Sequence, residues 1–235
     1  MKVHSSQADA ILYFYKNLRS PRGIPDDVSV MNPFNDAKIW KICEQFYRNF
    51  YNDEFPRIFL FGINPGRFGG GITGIPFTDP IRLEKNCGIK NDLTRRQELS
   101  SLFIYEMIEE FGGVNAFYGR FLFTALSPLG FVRDGKNLNY YDDKSLLRAC
   151  EPYILSTIKI QLKEIKTGIN AICLGEGQNF SIFTQLNRKH KLFESIEALP
   201  HPRWIMQYRG KKIKEYIQKY VEVLNAISPR PAGAQ

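Results

Sequence analysis

The chain has 235 residues, and its 43% hydrophobic content is enough to build the core of one α/β domain. Its 32 Lys and Arg residues outnumber its 24 Asp and Glu residues, which gives a formal net charge of +8. This charge favours a polyanionic partner such as nucleic acid or a membrane surface, but a merely basic surface explains it equally well. No apolar run reaches the length of a bilayer, so we expect no membrane-spanning segment.

The cysteines indicate a reducing compartment rather than a metal centre. Cys43, Cys87, Cys150 and Cys173 form no Cys-x-x-Cys motif and pair closely with no histidine, so we expect neither a zinc nor an iron–sulfur site. Scattered cysteines of this kind are typical of reduced core residues in a cytosolic protein. Because residues 1–7 hold no apolar stretch, we expect no signal peptide and a cytoplasmic location, at the nucleoid if the source is bacterial.

Helical and extended patterns alternate along the chain. Apolar residues spaced by three and four predict helices, and short apolar runs predict buried strands. The predicted helices cover residues 7–17, 37–50, 96–111, 143–166, 178–189 and 210–225. The predicted strands cover residues 57–62, 120–126, 171–175 and 195–199. We expect Pro152 to break the fourth helix, and residues 78–96 to form a long surface loop in which Asp79 is a solvated turn residue.

This alternation predicts one α/β domain over residues 1–227, with a central, mainly parallel four-stranded sheet flanked by helices. Residues 228–235 predict a disordered tail. Three of the strands end in Asn64, in Ser127-Pro128 and in His201. Because the carboxyl ends of parallel strands share one edge of a sheet, we expect these three loops to meet there.

The segment 62–77 is the most unusual stretch of the chain. Six glycines and two prolines in residues 62–76 predict a long loop, without helix or strand interior, whose backbone closely approaches a ligand. The segment lacks the Gly-Lys-Ser/Thr ending of a P-loop, so it predicts nucleotide binding only weakly. Asn64 can hold a water molecule. Phe77 can stack on a ligand, with simple core filling as the alternative.

His201 lies between Pro200 and Pro202, which stiffen the backbone around it. A histidine in a rigid loop suits an acid or an electrostatic group, and an exposed loop histidine is an equally good interpretation. Six cations and one carboxylate follow within residues 203–219, interleaved with aromatic residues. Such a segment suits nucleic acid whose base stacking is disturbed.

These motifs together resemble the uracil-DNA glycosylase superfamily, and most of all its single-strand-selective monofunctional branch. Residues 62–69 followed by 73–77 are similar to the first motif of that family, and residues 201–203 to a shortened second motif. Three further segments follow the family's order: Asn32-Pro33, Ser127-Pro128-Leu129 and Gly135-Lys136-Asn137-Leu138. The resemblance covers residues 30–225.

The resemblance implies a monofunctional glycosylase that flips a damaged base out of DNA and hydrolyses its N-glycosidic bond without a metal or other cofactor. By similarity, Asn64 would position the attacking water, and His201 would hydrogen-bond the base oxygen that gains charge. Phe77 would stack on the flipped base, while the backbone around Ile63 and Gly66 would touch its edge. We expect the enzyme to act as a monomer on DNA that contains deaminated bases.

Two departures from the family pattern change the expected specificity. The family has His-Asn where this chain has Thr124-Ala125, so the Asn that reads a pyrimidine is missing and Ala125 leaves a gap in the base site. We therefore expect uracil to be accepted, with the larger deaminated bases hypoxanthine and xanthine as candidate further substrates. The Ser-Pro after His-Pro is also missing, so Arg203, Trp204 and Ile205 become candidates for the wedge that opens the duplex. The candidate DNA-binding residues are Arg203, Trp204, Ile205, Arg209, Lys211 and Lys212.

Two alternatives remain open at the level of the sequence. A non-catalytic protein that binds damaged DNA with the same fold would also explain the missing Asn. A phosphate or nucleotide enzyme would use the glycine-rich loop, and stabilisation by mononucleotides but not by DNA would indicate it.

Overall fold

A computed structural model describes residues 4–228 of the chain, so the predicted tail lies outside the described residues except for Ser228. The helices are α1 (Gln7–Lys16), α2 (Ala37–Phe50), α3 (Gly70–Thr73), α4 (Pro80–Lys85), α5 (Leu99–Phe111), α6 (Gly113–Tyr118), α7 (Lys144–Glu164), α8 (Gln178–His190), α9 (Pro202–Tyr208) and α10 (Ile213–Ile227). The strands are β1 (Ser29–Met31), β2 (Arg57–Gly62), β3 (Phe121–Ala125), β4 (Gly130–Arg133), β5 (Lys136–Leu138), β6 (Thr167–Leu174) and β7 (Ser195–Leu199).

Four parallel strands form the main sheet, in the order β3-β2-β6-β7. The pairing brings the carboxyl ends level, because Gly62 of β2 lies opposite Ala125 of β3, and Leu174 of β6 lies opposite Leu199 of β7. The five residues of β3 are all buried, as a strand covered on both faces requires. The predicted α/β class with a four-stranded parallel sheet flanked by helices is confirmed.

A second sheet, absent from the predictions, packs beside this edge. It is antiparallel, with the order β1-β4-β5. Asp134 and Gly135 join β4 to β5 with positive φ angles of 49° and 68°, as a tight two-residue hairpin requires. Strands of three or four residues are too short to show a clear pattern in the sequence. This hairpin carries β5 to the mouth of the site described below.

Prolines and glycines account for two wrong predictions. Helix α7 runs unbroken through Pro152. Pro152 lies on the exposed face of the helix, where water can satisfy the carbonyl group that loses its N–H partner. The glycine-rich loop contains the single helical turn α3, which Gly74 ends in the left-handed conformation at φ 73°.

Polar capping residues account for two further corrections. Residues 78–96 contain helix α4, and its N-cap Asp79 is fully buried instead of solvated. The Asp79 carboxylate accepts hydrogen bonds from the backbone N–H groups of Ile81, Arg82 and Glu98, which compensate for its burial. The short helix α9, which was not predicted, begins directly after His201, and this histidine of the strand-end loop is its N-cap. Within residues 4–228, we find no helix whose length and apolar character would let it cross a bilayer.

Candidate active site

A cavity of about 380 Å³ opens at the carboxyl edge of the main sheet. Asn64 after β2, Ala125 at the end of β3 and His201 after β7 all line it, so the strand-end loops meet as expected. The backbone joins two of these loops, since the Ser127 N–H donates to the Ile63 carbonyl at 3.1 Å. The volume lies at the lower end of the range for small-molecule sites, roughly 300–1,000 Å³.

The side-chain amide of Asn64 is held at both ends by the end of β5 and the segment that follows it. Its Nδ2 donates to the carbonyl of Leu138, the last residue of β5, at 3.0 Å, and its Oδ1 accepts from the N–H of Tyr140, just after β5, at 3.0 Å. These two bonds fix the rotation of the amide and tie β2 to the antiparallel sheet. Nδ2 also donates to the Pro65 carbonyl at 3.5 Å. One lone pair of Oδ1 remains for a ligand, so the group can orient a water molecule in the cavity.

His201 is positioned by the first turn of α9. Its Nδ1 accepts a hydrogen bond from the backbone N–H of Arg203 at 3.1 Å, which is the N-cap interaction of this helix. Burial, and then the charge of the Arg203 guanidinium, lower the pKa of His201 to about 4. The imidazole is therefore neutral near pH 7, with Nε2–H as its free donor in the cavity.

Phe77 lies over the end of β2 in a strained conformation. Its φ angle of 55° is in the left-handed region, which an aromatic residue rarely adopts outside functional sites. A β-carbon at Gly62 would lie 2.9 Å from Cζ of Phe77, so only glycine lets the ring approach this closely. The ring centroid is 5.2 Å from that of Phe123 and 6.0 Å from that of His201. The half-buried Phe77 ring therefore packs against the core on one side and lines the cavity on the other.

The part of the cavity wall that β3 supplies is poor in hydrogen-bonding groups. Ala125 is buried and offers only a methyl group to the cavity. The neighbouring Thr124 hydroxyl donates to Oε1 of the buried Gln161 at 2.7 Å, so the framework already uses it. Ile63 and Gly66 line the same cavity from the side of the loop. Thr124 and Ala125 therefore offer a ligand no side-chain hydrogen bond that would select one ligand over another.

Glu98, the N-cap residue of α5, is a cavity residue that the sequence did not single out. Its carboxylate lies against Gly66 and covers Gly69 so closely that a β-carbon there would collide with it. Burial, and then the negative charge of Asp79, raise the pKa of Glu98 to about 7, although Arg203 opposes the shift. A single charged residue outside any motif gives no signal in the sequence, so the position of Glu98 in the cavity is visible only from its contacts in the folded chain.

Helix α9 forms the rim of the cavity. Arg203 and Trp204, two of the candidate DNA-binding residues, line it, and Gln207 and Tyr208 add to it. Trp204 and Tyr208 are 37% and 65% exposed, and their ring centroids are 6.5 Å apart. Together, these two rings form an exposed aromatic surface at the entrance of the cavity, where a ligand can stack on them. Tyr208 was not among the predicted site residues because the helix that aligns it with Trp204 was not recognised.

The other predicted DNA-binding residues lie in three different settings. Ile205 is fully buried under α9, so its side chain has no surface for DNA, and its place among the candidates was wrong. Arg209 stacks on Trp204, with its guanidinium carbon 4.6 Å from the ring centroid. Lys211 and Lys212 are exposed beyond the cavity, and Lys212 pairs with Glu215 at 3.1 Å. Among residues 4–228, no group of three His, Cys, Asp or Glu side chains is arranged to hold a metal ion.

Comparison with known proteins assigns this arrangement to a family. The model of the uracil DNA glycosylase superfamily matches residues 49–225. The crystal structure of wild-type SMUG2 from Pedobacter heparinus is similar, with a TM-score of 0.91 and 41% sequence identity over 95% of this chain and 99% of that chain. No curated protein matches the sequence significantly. The chain therefore belongs to the uracil DNA glycosylase superfamily and is a DNA glycosylase, a hydrolase of N-glycosidic bonds.

Proposed function

We propose that the protein is a monofunctional, monomeric glycosylase that flips deaminated bases out of DNA and removes uracil, hypoxanthine and xanthine. One observation carries the proposal. Asn64, the neutral His201, the aromatic ring of Phe77 and the methyl group of Ala125 all line a single cavity. Extrusion of the base costs a few kcal/mol, least where the base is mispaired or unpaired.

The geometry supports hydrolysis through a charge-separated transition state. As the N-glycosidic bond breaks, the base keeps the bonding electrons and its carbonyl oxygen becomes negative, while the sugar carbon becomes positive. The Nε2–H of His201 donates to that oxygen, and a water oriented by Asn64 attacks the sugar carbon. The proton that this water loses passes to solvent, and the departing base takes up one proton at the nitrogen that carried the sugar. The products are the free base and an abasic site. A preorganised neutral donor is effective here because it needs no reorientation as charge develops.

The wall at Ala125 supports a broad choice of base. A site that hydrogen-bonds one edge of a pyrimidine rejects bases that lack the matching groups, because its own polar atoms would then be buried without partners. Here a methyl group stands at that wall, and the Thr124 hydroxyl is already bonded to Gln161. Neither group penalises a larger deaminated purine.

The exposed surface of α9 suits the opened duplex. Trp204 and Tyr208 can fill the space that the extruded nucleotide leaves, since aromatic rings stack on bases of any sequence. Arg203 at the rim, and Arg209, Lys211 and Lys212 beyond it, supply positive charge for the phosphates.

A panel of labelled oligonucleotides tests the proposal. Each carries one uracil, hypoxanthine or xanthine, in single strands and in duplexes, and alkali cleaves the abasic sites after incubation. We expect abasic product from all three bases and none from an undamaged control. Binding to these oligonucleotides without abasic product would favour the non-catalytic alternative and reject the proposed activity.

A further inference from the structure

A second cavity of about 380 Å³ adjoins the first at the glycine-rich loop. The two cavities share Glu98, Asn137 and Arg203 in their walls. The remaining lining residues of the second cavity are Arg67, Phe68, Gln97, Leu99 and Lys136. We call this second cavity the hairpin groove, because the β4–β5 hairpin supplies one of its sides. It lies away from the basic segment after α9.

The hairpin groove is strongly cationic. Arg67, Lys136 and Arg203 line it, and Arg96 joins them through Phe68. Within residues 4–228, none of these four cations forms an ion pair with a carboxylate. Glu98 is the single carboxylate among the lining residues. Four unpaired cations around one cavity leave an excess of positive charge that a polyanion can neutralise.

Two arginines and one backbone hydrogen bond organise the side of the groove that the glycine-rich loop supplies. The Phe68 ring has the guanidinium carbon of Arg67 at 4.8 Å and that of Arg96 at 5.0 Å. The backbone N–H of Arg67 donates to Oδ1 of Asn137 at 3.2 Å, which ties the loop to the strand that carries Lys136. Arg67 and Lys136 therefore line the groove from two joined elements, so one anionic chain that crosses the groove can contact both.

We propose that the hairpin groove binds the phosphodiester backbone of the damaged strand next to the extruded nucleotide, with Arg67 and Lys136 contacting phosphates. This proposal rests on the proposed function, because the extruded base in the first cavity brings its flanking phosphates to the shared wall. Guanidinium groups match the geometry of phosphate oxygens, and an ammonium adds a point charge. The strand then leaves the base cavity across the glycine-rich loop and the hairpin.

The measurement is the affinity for a labelled oligonucleotide with a stable tetrahydrofuran abasic analogue, followed by fluorescence anisotropy between 50 and 200 mM salt. The test variant is Arg67→Ala/Lys136→Ala. The matched control is Arg188→Ala/Lys189→Ala, which removes the same charge from exposed residues at the end of α8, by the opposite edge of the sheet. Both replaced groove side chains are exposed, and thermal melts check that the variants remain folded.

Each lost phosphate contact lowers the slope of log affinity against log salt by roughly 0.7–0.9. We expect the slope of the test variant to fall by about 1.4–1.8 relative to wild type, while the control keeps the wild-type slope. Equal slopes in the two double variants would overturn the inference. Abasic product from the wild type together with equal slopes would reject the groove alone. No abasic product from the wild type together with a lowered slope would reject the proposed function and leave the groove standing.

Discussion

The Nδ1 atom of His201 accepts a hydrogen bond from the backbone N–H of Arg203 at 3.1 Å. A nitrogen that accepts carries no proton, so the proton of the neutral ring lies on Nε2. The same helix turn brings the Arg203 guanidinium near the ring, which adds to burial in lowering the pKa of His201 to about 4. The fold thus selects both the tautomer and the charge of this side chain.

We expect His201→Ala to lower the single-turnover rate on uracil by about 10²–10³-fold, the cost of losing one preorganised donor at a developing oxyanion. In the wild type, this neutral donor should act unchanged from pH 8 down to about pH 5, since the pKa of His201 is about 4. A loss of rate centred near pH 6.5 that disappears in His201→Gln would contradict this assignment.

Protonation of His201 also links stability to pH. Its folded pKa of about 4 lies below its ordinary value of 6.5, so the unfolded chain binds this proton more readily. The free energy of unfolding should therefore fall as pH drops from about 6.5 towards 4, and His201→Gln should weaken that decline. Urea melts at pH 7, 6 and 5 measure it, and an identical decline in the two proteins would count against the neutral imidazole.

Glu98 predicts that DNA affinity depends on pH, through a carboxyl pKa that is raised where the pKa of His201 is lowered. Its folded pKa of about 7 lies above its ordinary value of 4.5, because burial and then Asp79 disfavour the carboxylate while Arg203 favours it. As pH rises through 7, the new negative charge faces Arg67, Lys136 and the bound phosphates. We expect DNA affinity at constant salt to fall between pH 6 and pH 8, and Glu98→Gln to flatten this fall.

The control for Glu98→Gln is Glu194→Gln, an exposed carboxylate just before β7 at the opposite edge of the sheet. The free energy of unfolding should fall over a lower window, as pH rises from about 4.5 to 7, since the folded state holds the Glu98 proton more tightly than the unfolded chain does. If Glu98→Gln and Glu194→Gln show the same pH dependence of affinity, Glu98 does not titrate beside the DNA.

The aromatic rim predicts a difference between DNA forms. Trp204→Ala and Tyr208→Ala should lower the rate on uracil in a duplex more than on uracil in a single strand, because only the duplex must be held open. Stacking of this kind is worth about 1–3 kcal/mol per base. Phe55→Ala removes an aromatic ring that is 71% exposed and precedes β2, and it should change neither rate. Equal losses on both DNA forms would place these rings outside the wedge.

The gap at Ala125 predicts a change of base preference. In Ala125→Asn, the new amide faces the cavity and introduces polar atoms that need partners on the bound base. We expect hypoxanthine and xanthine excision to fall by about tenfold or more relative to uracil excision. Competition between uracil and hypoxanthine oligonucleotides in one reaction measures the ratio directly. An unchanged ratio would show that base choice is not set at this wall.

The sequence predicted the main sheet because β2, β3 and β6 are apolar runs whose burial follows from composition. Asn64 and His201 were found through motifs at the ends of strands. Glu98 and Tyr208 were missed because their positions depend on contacts between distant segments, which no local pattern records.

The wrong predictions have the same origin. Ile205 stands in a basic, aromatic segment, but α9 turns it towards the core, where it is fully buried. Asp79 is polar, yet the N–H of Glu98 nineteen residues later helps to satisfy it in the interior. The local sequence indicates which chemical groups a segment carries, but it does not show which distant residues those groups contact in the fold.

The most direct test of the central claim is a single-turnover assay of Asn64→Ala on uracil-containing DNA, with wild type in parallel and DNA affinity measured for both. Asn64 is bonded to Leu138 and Tyr140, so we also expect the variant to lose about 1–3 kcal/mol of stability while remaining folded. Wild type should produce abasic sites, and Asn64→Ala should do so about 10²–10⁴-fold more slowly at similar affinity. A wild-type rate in a folded Asn64→Ala variant would contradict the account.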